Sequence, residues 1–301
     1  MSRGITRSPW LWAALAICFW STVSTAFKLA LRQMTPPQLL FSASVTSTLV
    51  LGMALTLQGK LRLLLTSTPG DWLRSAALGL ANPLLYYAIL FTAYNRLPAQ
   101  QAQALNYTWA VMLVILSIPL LHQRPRWRDL AGLLVSFTGA LVISVQGRLL
   151  SLRVDDPLGV GLALSTSVIW ALYWIFNMRD PRDETLKLFM NFLPGTLFVL
   201  AYLYAIGQRP PAIHAWPAGM YVGVFEMGLT FMVWLRALSL ATHTARVANL
   251  IYITPFASLV IIRLALHESI HPATVAGLVL IVGGILWQQL GRANQKQRSG
   301  R

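Results

Sequence analysis

Charge is scarce in this chain: Asp, Glu, Lys and Arg make up 11% of its 301 residues, while 56% are apolar. A typical soluble domain carries roughly 25% charged residues. A soluble chain this long would lack the charge to cover its surface. Acidic residues are scarcer still, nine against 24 Lys and Arg. Cysteine is almost missing: Cys18 stands alone, which excludes an intrachain disulfide. Several catalytic signatures are absent too. There is no GxxxxGK[ST] phosphate loop, which argues against ATP hydrolysis, and no GxSxG nucleophile elbow. No long polar stretch separates one part of the chain as a soluble domain.

What is present is a series of apolar blocks of roughly 18–24 residues, the length that crosses about 30 Å of hydrocarbon at 1.5 Å per residue. Most lack the polar residue at every third or fourth position that a soluble amphipathic helix shows. The pattern predicts an all-α polytopic membrane protein with ten spans: 9–31, 36–57, 72–95, 98–120, 129–146, 157–178, 185–206, 216–239, 243–264 and 272–290. Pro9, Pro98, Pro157 and Pro272 sit near starts, where a missing N–H costs little. Gly59, Gly147, Gly207 and Gly291 sit at or just beyond ends. Arg3 and Arg7 before the first apolar run resemble a signal peptide. The run's length, its Trp10, Trp12 and Trp20, and the lack of a small-residue cleavage site mark it as a retained first span. The tail from Arg292 to Arg301 is basic and expected to lack regular structure.

A net charge of +15 invites a nucleic-acid reading, but the distribution of the charge argues against it. With a cytoplasmic N-terminus, one side of the membrane keeps only Lys28, Arg32, Arg96, Arg148, Arg153, Arg209 and Arg263 of the 24 basic residues. The rest fall on the other side. That asymmetry places both termini in the cytoplasm, makes the lipid bilayer the partner of the basic excess, and leaves no role for nucleic acid.

The chain also repeats itself. A shift of 145 lays Leu105-Asn106-Tyr107-Thr108 over Leu250-Ile251-Tyr252-Ile253, His122-Gln123 over His267-Glu268, and Gly139 over Gly284. Nearby shifts pair Trp20 with Trp170, and Leu78-Gly79 with Val222-Gly223. Shared membrane composition matches single glycines easily; one constant offset running through two spans and their loop is better explained by duplication. The halves are 1–150 and 151–301, the second ending in the basic cytoplasmic tail. Five spans per half is an odd number, so the second half is inverted relative to the first. Inverted repeats are the layout of many secondary transporters, with the substrate site near mid-membrane.

Among the acidic residues only Glu226 lies deep inside a span. Burying a carboxylate there costs at least about 2.5 kcal/mol, so it should face a cavity or a partner. It is either a binding or proton-carrying group or a structural glutamate packed between helices. Asn82 holds the matching place under a shift of 144. Trp20, Trp109, Trp170, Trp174 and Trp234 lie deeper than the interfacial tryptophans, joined by Tyr86, Tyr87, Tyr107, Tyr173 and Tyr252. Packing explains any single one of them; the set would wall a cavity suited to flat aromatic groups or to cations. The candidate binding residues are Asn82, Tyr86, Tyr87, Trp109, Trp170, Trp174, Glu226 and Tyr252. His267-Glu268-Ser269-Ile270-His271 matches the HExxH pattern of zinc proteases, but Pro272 follows at once and pushes His271 away from helical angles. No metal, cofactor or catalytic residue is assigned.

Phe19-Trp20-Ser21-Thr22, Asn106-Tyr107-Thr108-Trp109, Ile169-Trp170-Ala171-Leu172-Tyr173 and the paired AGLLVSFTGALVI and AGLVLIVGGILW segments carry a family likeness. The chain resembles the drug/metabolite transporter superfamily, EamA-type, and within it the bacterial aromatic amino-acid exporters of the YddG type. Those exporters carry proline after the tryptophan of the second motif, where Ala110 stands here. The resemblance implies a central cavity, alternating access, residence in a bacterial inner membrane, and export of aromatic or large neutral amino acids or related small metabolites. A multidrug exporter of lipophilic cations is the alternative, with a lipid scramblase or membrane enzyme more distant. Oligomeric state is not legible, because no span presents a convincing dimer face.

Overall fold

The computed structural model describes residues 8–121, 127–148, 154–240, 247 and 249–299. Several sequence assignments lie outside the described residues: Arg3 and Arg7, the His122-Gln123 pair with Arg124 and Arg126, Arg153, the start of the ninth span with Arg246, and Arg301. The described residues are helical or in turns, with no strand among them.

Helix α1 (Pro9–Ala30) starts on a proline, and α2 (Pro36–Leu57) starts on a Thr35/Gln38 capping box. The scarce carboxylates serve mainly at such ends. Asp71 closes a capping box with Thr68 at α3 (Pro69–Gly79). Asp156 accepts the Gly159 N–H at the start of α8 (Pro157–Met178), and Asp183 accepts from Thr185 and Leu186 at α9 (Glu184–Ala205). Gly59 (φ 67°) and Gly207 (φ 72°) leave α2 and α9 in the left-handed region that favours glycine.

Four of the expected spans are not continuous. The span over 72–95 is α3, a π-helical turn Leu80–Leu85, and α4 (Tyr86–Arg96). Within the turn Asn82 is extended (φ −148°, ψ 116°), as a residue before proline prefers to be. The span over 98–120 is α5 (Ala99–Asn106) and α6 (Trp109–Leu121), parted at Tyr107-Thr108. The eighth is α10 (Trp216–Phe225) and α11 (Leu229–Leu240), parted at Glu226-Met227-Gly228. The ninth enters through a 3₁₀ turn, Asn249–Ile253, before α12 (Thr254–Leu266). Backbone groups freed at such breaks need other partners inside a membrane; the Thr230 hydroxyl takes the Phe225 carbonyl. The remaining long helices among the described residues are α7 (Trp127–Ser144) and α13 (Pro272–Ser299), with short turns of helix at Arg62–Leu65 and Ile213–Ala215. The basic tail expected to be irregular continues α13 as far as Ser299. No glycine or proline interrupts 292–299, and Arg, Ala, Gln and Lys favour helix. Among the described residues six helical stretches are long and apolar enough to cross a bilayer: Pro9–Ala30, Pro36–Leu57, Pro69–Arg96, Ala99–Leu120, Pro157–Asn177 and Glu184–Ala205.

The packing comes in reciprocal pairs. Helix α1 lies on α11 and α12, while α8 lies on α4 and α6; α2 receives α10, and α9 receives α3. The α2–α9 contact is itself symmetric. Thr48 and Thr196 share a 2.8 Å hydrogen bond, and each hydroxyl also faces the other helix's carbonyl, at Phe192 and Ser44. Helices α7 and α13 meet through glycine. A Cβ on Gly277 would stand 2.6 Å from the Gly139 oxygen, and one on Gly284 2.5 Å from the Gly132 oxygen. Between those contacts Ser136 donates to the Ile281 carbonyl. Large apolar side chains such as Leu49, Met53, Leu57, Leu73, Leu134, Leu197 and Leu264 point outward, a surface suited to lipid rather than water.

Candidate functional site: an aromatic cavity at the helix breaks

The four breaks converge on a cavity of about 410 Å³. Tyr86 begins α4 directly after the first break, Asn106 and Tyr107 stand at the second, Glu226 at the third, and Ile251, Tyr252 and Thr254 at the fourth. Unbroken α1 and α8 supply Trp20, Ser24, Phe27, Trp170 and Trp174. Among the described residues of the lining Glu226 is the only charged one, with no Lys, Arg or His beside it.

The carboxylate is held from behind. The Tyr87 hydroxyl donates to Glu226 Oε1 at 3.1 Å, and Trp20 shares the cavity lining with it. Around it the rings form a continuous wall. Tyr86 stacks on Trp170 (centroids 4.5 Å apart, planes at 28°), and Trp20 meets Phe231 and Trp234 edge-on at 5.8 and 5.7 Å. Phe231 also lies 6.0 Å from Trp170 and 6.1 Å from Trp174. Such geometries contribute roughly 0.5–1.5 kcal/mol per pair beyond area burial, so the wall is held in shape without a ligand. Asn106 donates to Thr166 at 2.8 Å and sits 3.4 Å from the Tyr86 hydroxyl. It is a polar group fixed by its neighbours.

Of the residues named from sequence, Tyr86, Trp109, Trp170, Trp174, Glu226 and Tyr252 line the cavity together. Asn82 and Tyr87 do not, and this corrects their place in the wall. Asn82 is buried inside its helix break, where its Oδ1 has no hydrogen-bond partner. Its extended backbone turns the side chain into the protein. Tyr87 follows Tyr86 on the helix, so their rings point in different directions, and Tyr87 reaches Glu226 from the packed side. Asn106 and Tyr107, from the segment Asn106-Tyr107-Thr108-Trp109 whose sequence suits a cavity wall, belong to the lining too, as do Trp20, Trp234 and Phe231, of which the two tryptophans are legible by depth. Phe231 carries no polar signal that would single it out.

The HExxH segment is not helical. Helix α12 ends at Leu266, His267 is left-handed (φ 57°), and Glu268 Oε1 accepts the Ala99 N–H. The two histidines therefore do not share one helix face. Among the described residues no group of three His, Cys, Asp or Glu is placed to hold a metal.

Comparison with known proteins agrees with this architecture. The chain is 24% identical over 274 residues to the aromatic amino acid exporter YddG of Ancylobacter novellus, covering 89% of this chain and 92% of that one. It is 25% identical over 236 residues to a probable terminal-alkyne amino-acid exporter of Streptantibioticus cattleyicolor, covering 75% and 77%. It is also 25% identical over 279 residues to an uncharacterized transporter of Archaeoglobus fulgidus, covering 90% and 94%. A protein crystal structure 24% identical in sequence matches its fold with a TM-score of 0.64 over 94% of this chain and 98% of that one. The profile of the EamA-like transporter family matches residues 7–145 and again 157–288, so the chain belongs to that family of multi-pass membrane transporters.

Proposed function

We propose that this transporter exports aromatic or large neutral amino acids, or closely related metabolites, by alternating access through the aromatic cavity. The observation that carries this reading is a single carboxylate, Glu226, set in a wall of aromatic rings where four helices break. The ammonium group of the substrate meets Glu226 in a charge-assisted hydrogen bond. Its apolar part lies against Trp109, Trp170, Trp174 and Tyr86, and Asn106 and Tyr252 offer hydrogen bonds to its remaining polar atoms. A carboxyl that holds either a proton or an ammonium exchanges one for the other, which couples transport to a proton gradient. The cavity volume of about 410 Å³ falls inside the usual range of small-molecule sites, about 300–1,000 Å³. The named exporters among the relatives handle amino acids.

The same reading takes the chain as ten spans in two inverted halves, 1–150 and 151–301. Both termini are cytoplasmic, and the membrane is the bacterial inner membrane. The reciprocal packing of α1 with α11 and α12 and of α8 with α4 and α6 supports it, as does the symmetric Thr48–Thr196 contact. The doubled match of the family profile supports it as well. The bonded cations also sort by end: Lys28, Arg96 and Arg148 at one, Lys60, Arg74, Arg182 and Lys187 at the other.

A second reading, export of lipophilic cations, is favoured by one observation: among its described residues the lining offers an amino acid's carboxylate no cationic partner. The deciding experiment is uptake into liposomes holding the purified protein, with and without a pH gradient, comparing labelled tryptophan with its decarboxylated amine. Saturable, gradient-stimulated tryptophan uptake supports amino-acid export. Uptake of the amine alone moves the assignment to cations, and uptake of neither removes both.

A further inference from the structure

Part of the cavity lining continues into a cluster that the proposed binding chemistry does not use. Ser24, Phe27, Tyr94 and Gln103 form that part of the lining. There Phe27 packs edge-on against Phe91 and Tyr94 (4.8 and 5.1 Å), and the Ser24 and Tyr94 hydroxyls bond at 2.8 Å. One turn further along α1, Lys28 Nζ donates to the Tyr94 and Leu97 carbonyls at 2.8 and 2.9 Å, gripping the end of α4. The chain turns immediately into α5. Glu268, from the α12–α13 loop, accepts the first N–H of that helix, Ala99, at 3.1 Å. Gln100 is held twice by the same loop: its Nε2 donates to the Ser269 carbonyl and its Oε1 accepts the His271 N–H, each at 2.8 Å. Every residue from Ala99 to Leu105 is buried.

The charges in this junction are not freely interchangeable. Glu268 Oε2 is buried without a hydrogen-bond partner. Lys28 and Glu268 carry opposite charges at this junction, each bonded to backbone of the α4–α5 turn, and Arg263 also donates to the Glu268 carbonyl at 3.4 Å. Glu268 corresponds to Gln123 in the first half of the sequence, a neutral amide. Only one of the two matching loops therefore carries an acid.

We propose that Lys28, Gln100 and Glu268 form a releasable latch that shuts one end of the cavity and biases the resting protein toward opening at the other end. The proposal rests on the alternating-access reading, and its test separates the two. Cys18, exposed on α1, is first replaced by Ser, and Val23 in the lining is replaced by Cys. In proteoliposomes, the rate of reaction with a membrane-impermeant thiol reagent is measured from each face.

The parent should react fast from one face and slowly from the other. Lys28→Met should raise the slow-face rate about tenfold, because it frees the Tyr94 and Leu97 carbonyls, and Glu268→Gln about threefold, because a neutral amide is a weaker acceptor for the Ala99 N–H. Gln100→Ala, which removes no charge, should also raise the slow-face rate, and it keeps the test open if a charge variant does not fold. A slow-face rate unchanged in Gln100→Ala and in the folded charge variants overturns the latch. A parent equally reactive from both faces overturns alternating access, and the latch with it.

Discussion

Glu226 shows what depth alone reveals and what it hides. Its position far from any span end marked it in the sequence, since a mid-membrane carboxylate is costly without a role. The residues that make it usable were less legible. Tyr87 was placed in the wall because it is deep and aromatic, yet it stands behind the wall and donates to Glu226 Oε1. Trp20 sat in plain view as a deep tryptophan, but nothing in one sequence says which side of α1 faces inward. Tyr87→Phe should leave folding intact and raise the KM for amine-bearing substrates about fivefold to tenfold, by loss of a hydrogen bond to a charged group. Transport titrated against substrate concentration checks this, and an unchanged KM would place Tyr87 in packing alone. Glu226→Gln should abolish stimulation by a pH gradient while substrate still enters the cavity. Uptake at matched and unmatched pH reads that difference directly.

Helix lengths were the most legible part of the fold, because a bilayer sets them; the breaks were not. Pro83 did announce the extended Asn82, and Gly228 sits in the third break, but both signals were absorbed into a continuous apolar run. Tyr107-Thr108 has no breaker at all, so packing rather than local preference parts α5 from α6. The repeat offsets were the better guide, since Asn82 answers Glu226 and Tyr107 answers Tyr252, and each lies at a break. The glycines of α7 and α13 carry a sharper prediction. Gly277→Val should part the helices, since its Cβ would stand 2.5 Å from Ile143 Cγ1 and 2.6 Å from the Gly139 oxygen. The expected cost is on the order of 1–3 kcal/mol, seen as a lower Tm in detergent. Gly283→Ala, on the same helix with nothing within 4 Å, should instead stabilise by up to about 1 kcal/mol. Equal Tm values for the two variants would show that the close approach is not needed.

At the scale of the whole molecule, the ion pairs gather at the two ends of the bundle and leave its middle to Glu226. The strongest cluster ties the α8–α9 loop to α3. Arg182 grips Asp180 at 2.9 and 2.5 Å and also reaches Ser75, while Arg74 stands 3.6 Å from the same carboxylate. Burial alone would raise the Asp180 carboxyl; hydrogen bonds from Arg182 and the charges of Arg182 and Arg74 outweigh it and hold it below the ordinary carboxylate range. Asp183, beside Lys60, is shifted the same way against the same burial effect. A depressed carboxylate contributes stability above its unfolded value, about 3.9, and loses it as pH falls through the folded value. Tm in detergent should therefore hold steady from about pH 7 to 5 and fall below about pH 4. Asp180→Asn should lower it at neutral pH, through a stability loss of about 3–5 kcal/mol for a buried pair broken on one side, and flatten that acid limb. A neutral-pH Tm unaffected by the substitution would remove the cluster as a staple. The Thr48–Thr196 hydrogen bond carries a consequence of another kind, for descent. In an ancestor built from two copies of one short chain, a single threonine would have met its own twin, and one codon would have written both ends of the contact. Once the copies are fused, the two ends are separate codons that drift independently. A surviving matched pair is then a trace of the time when they were one residue.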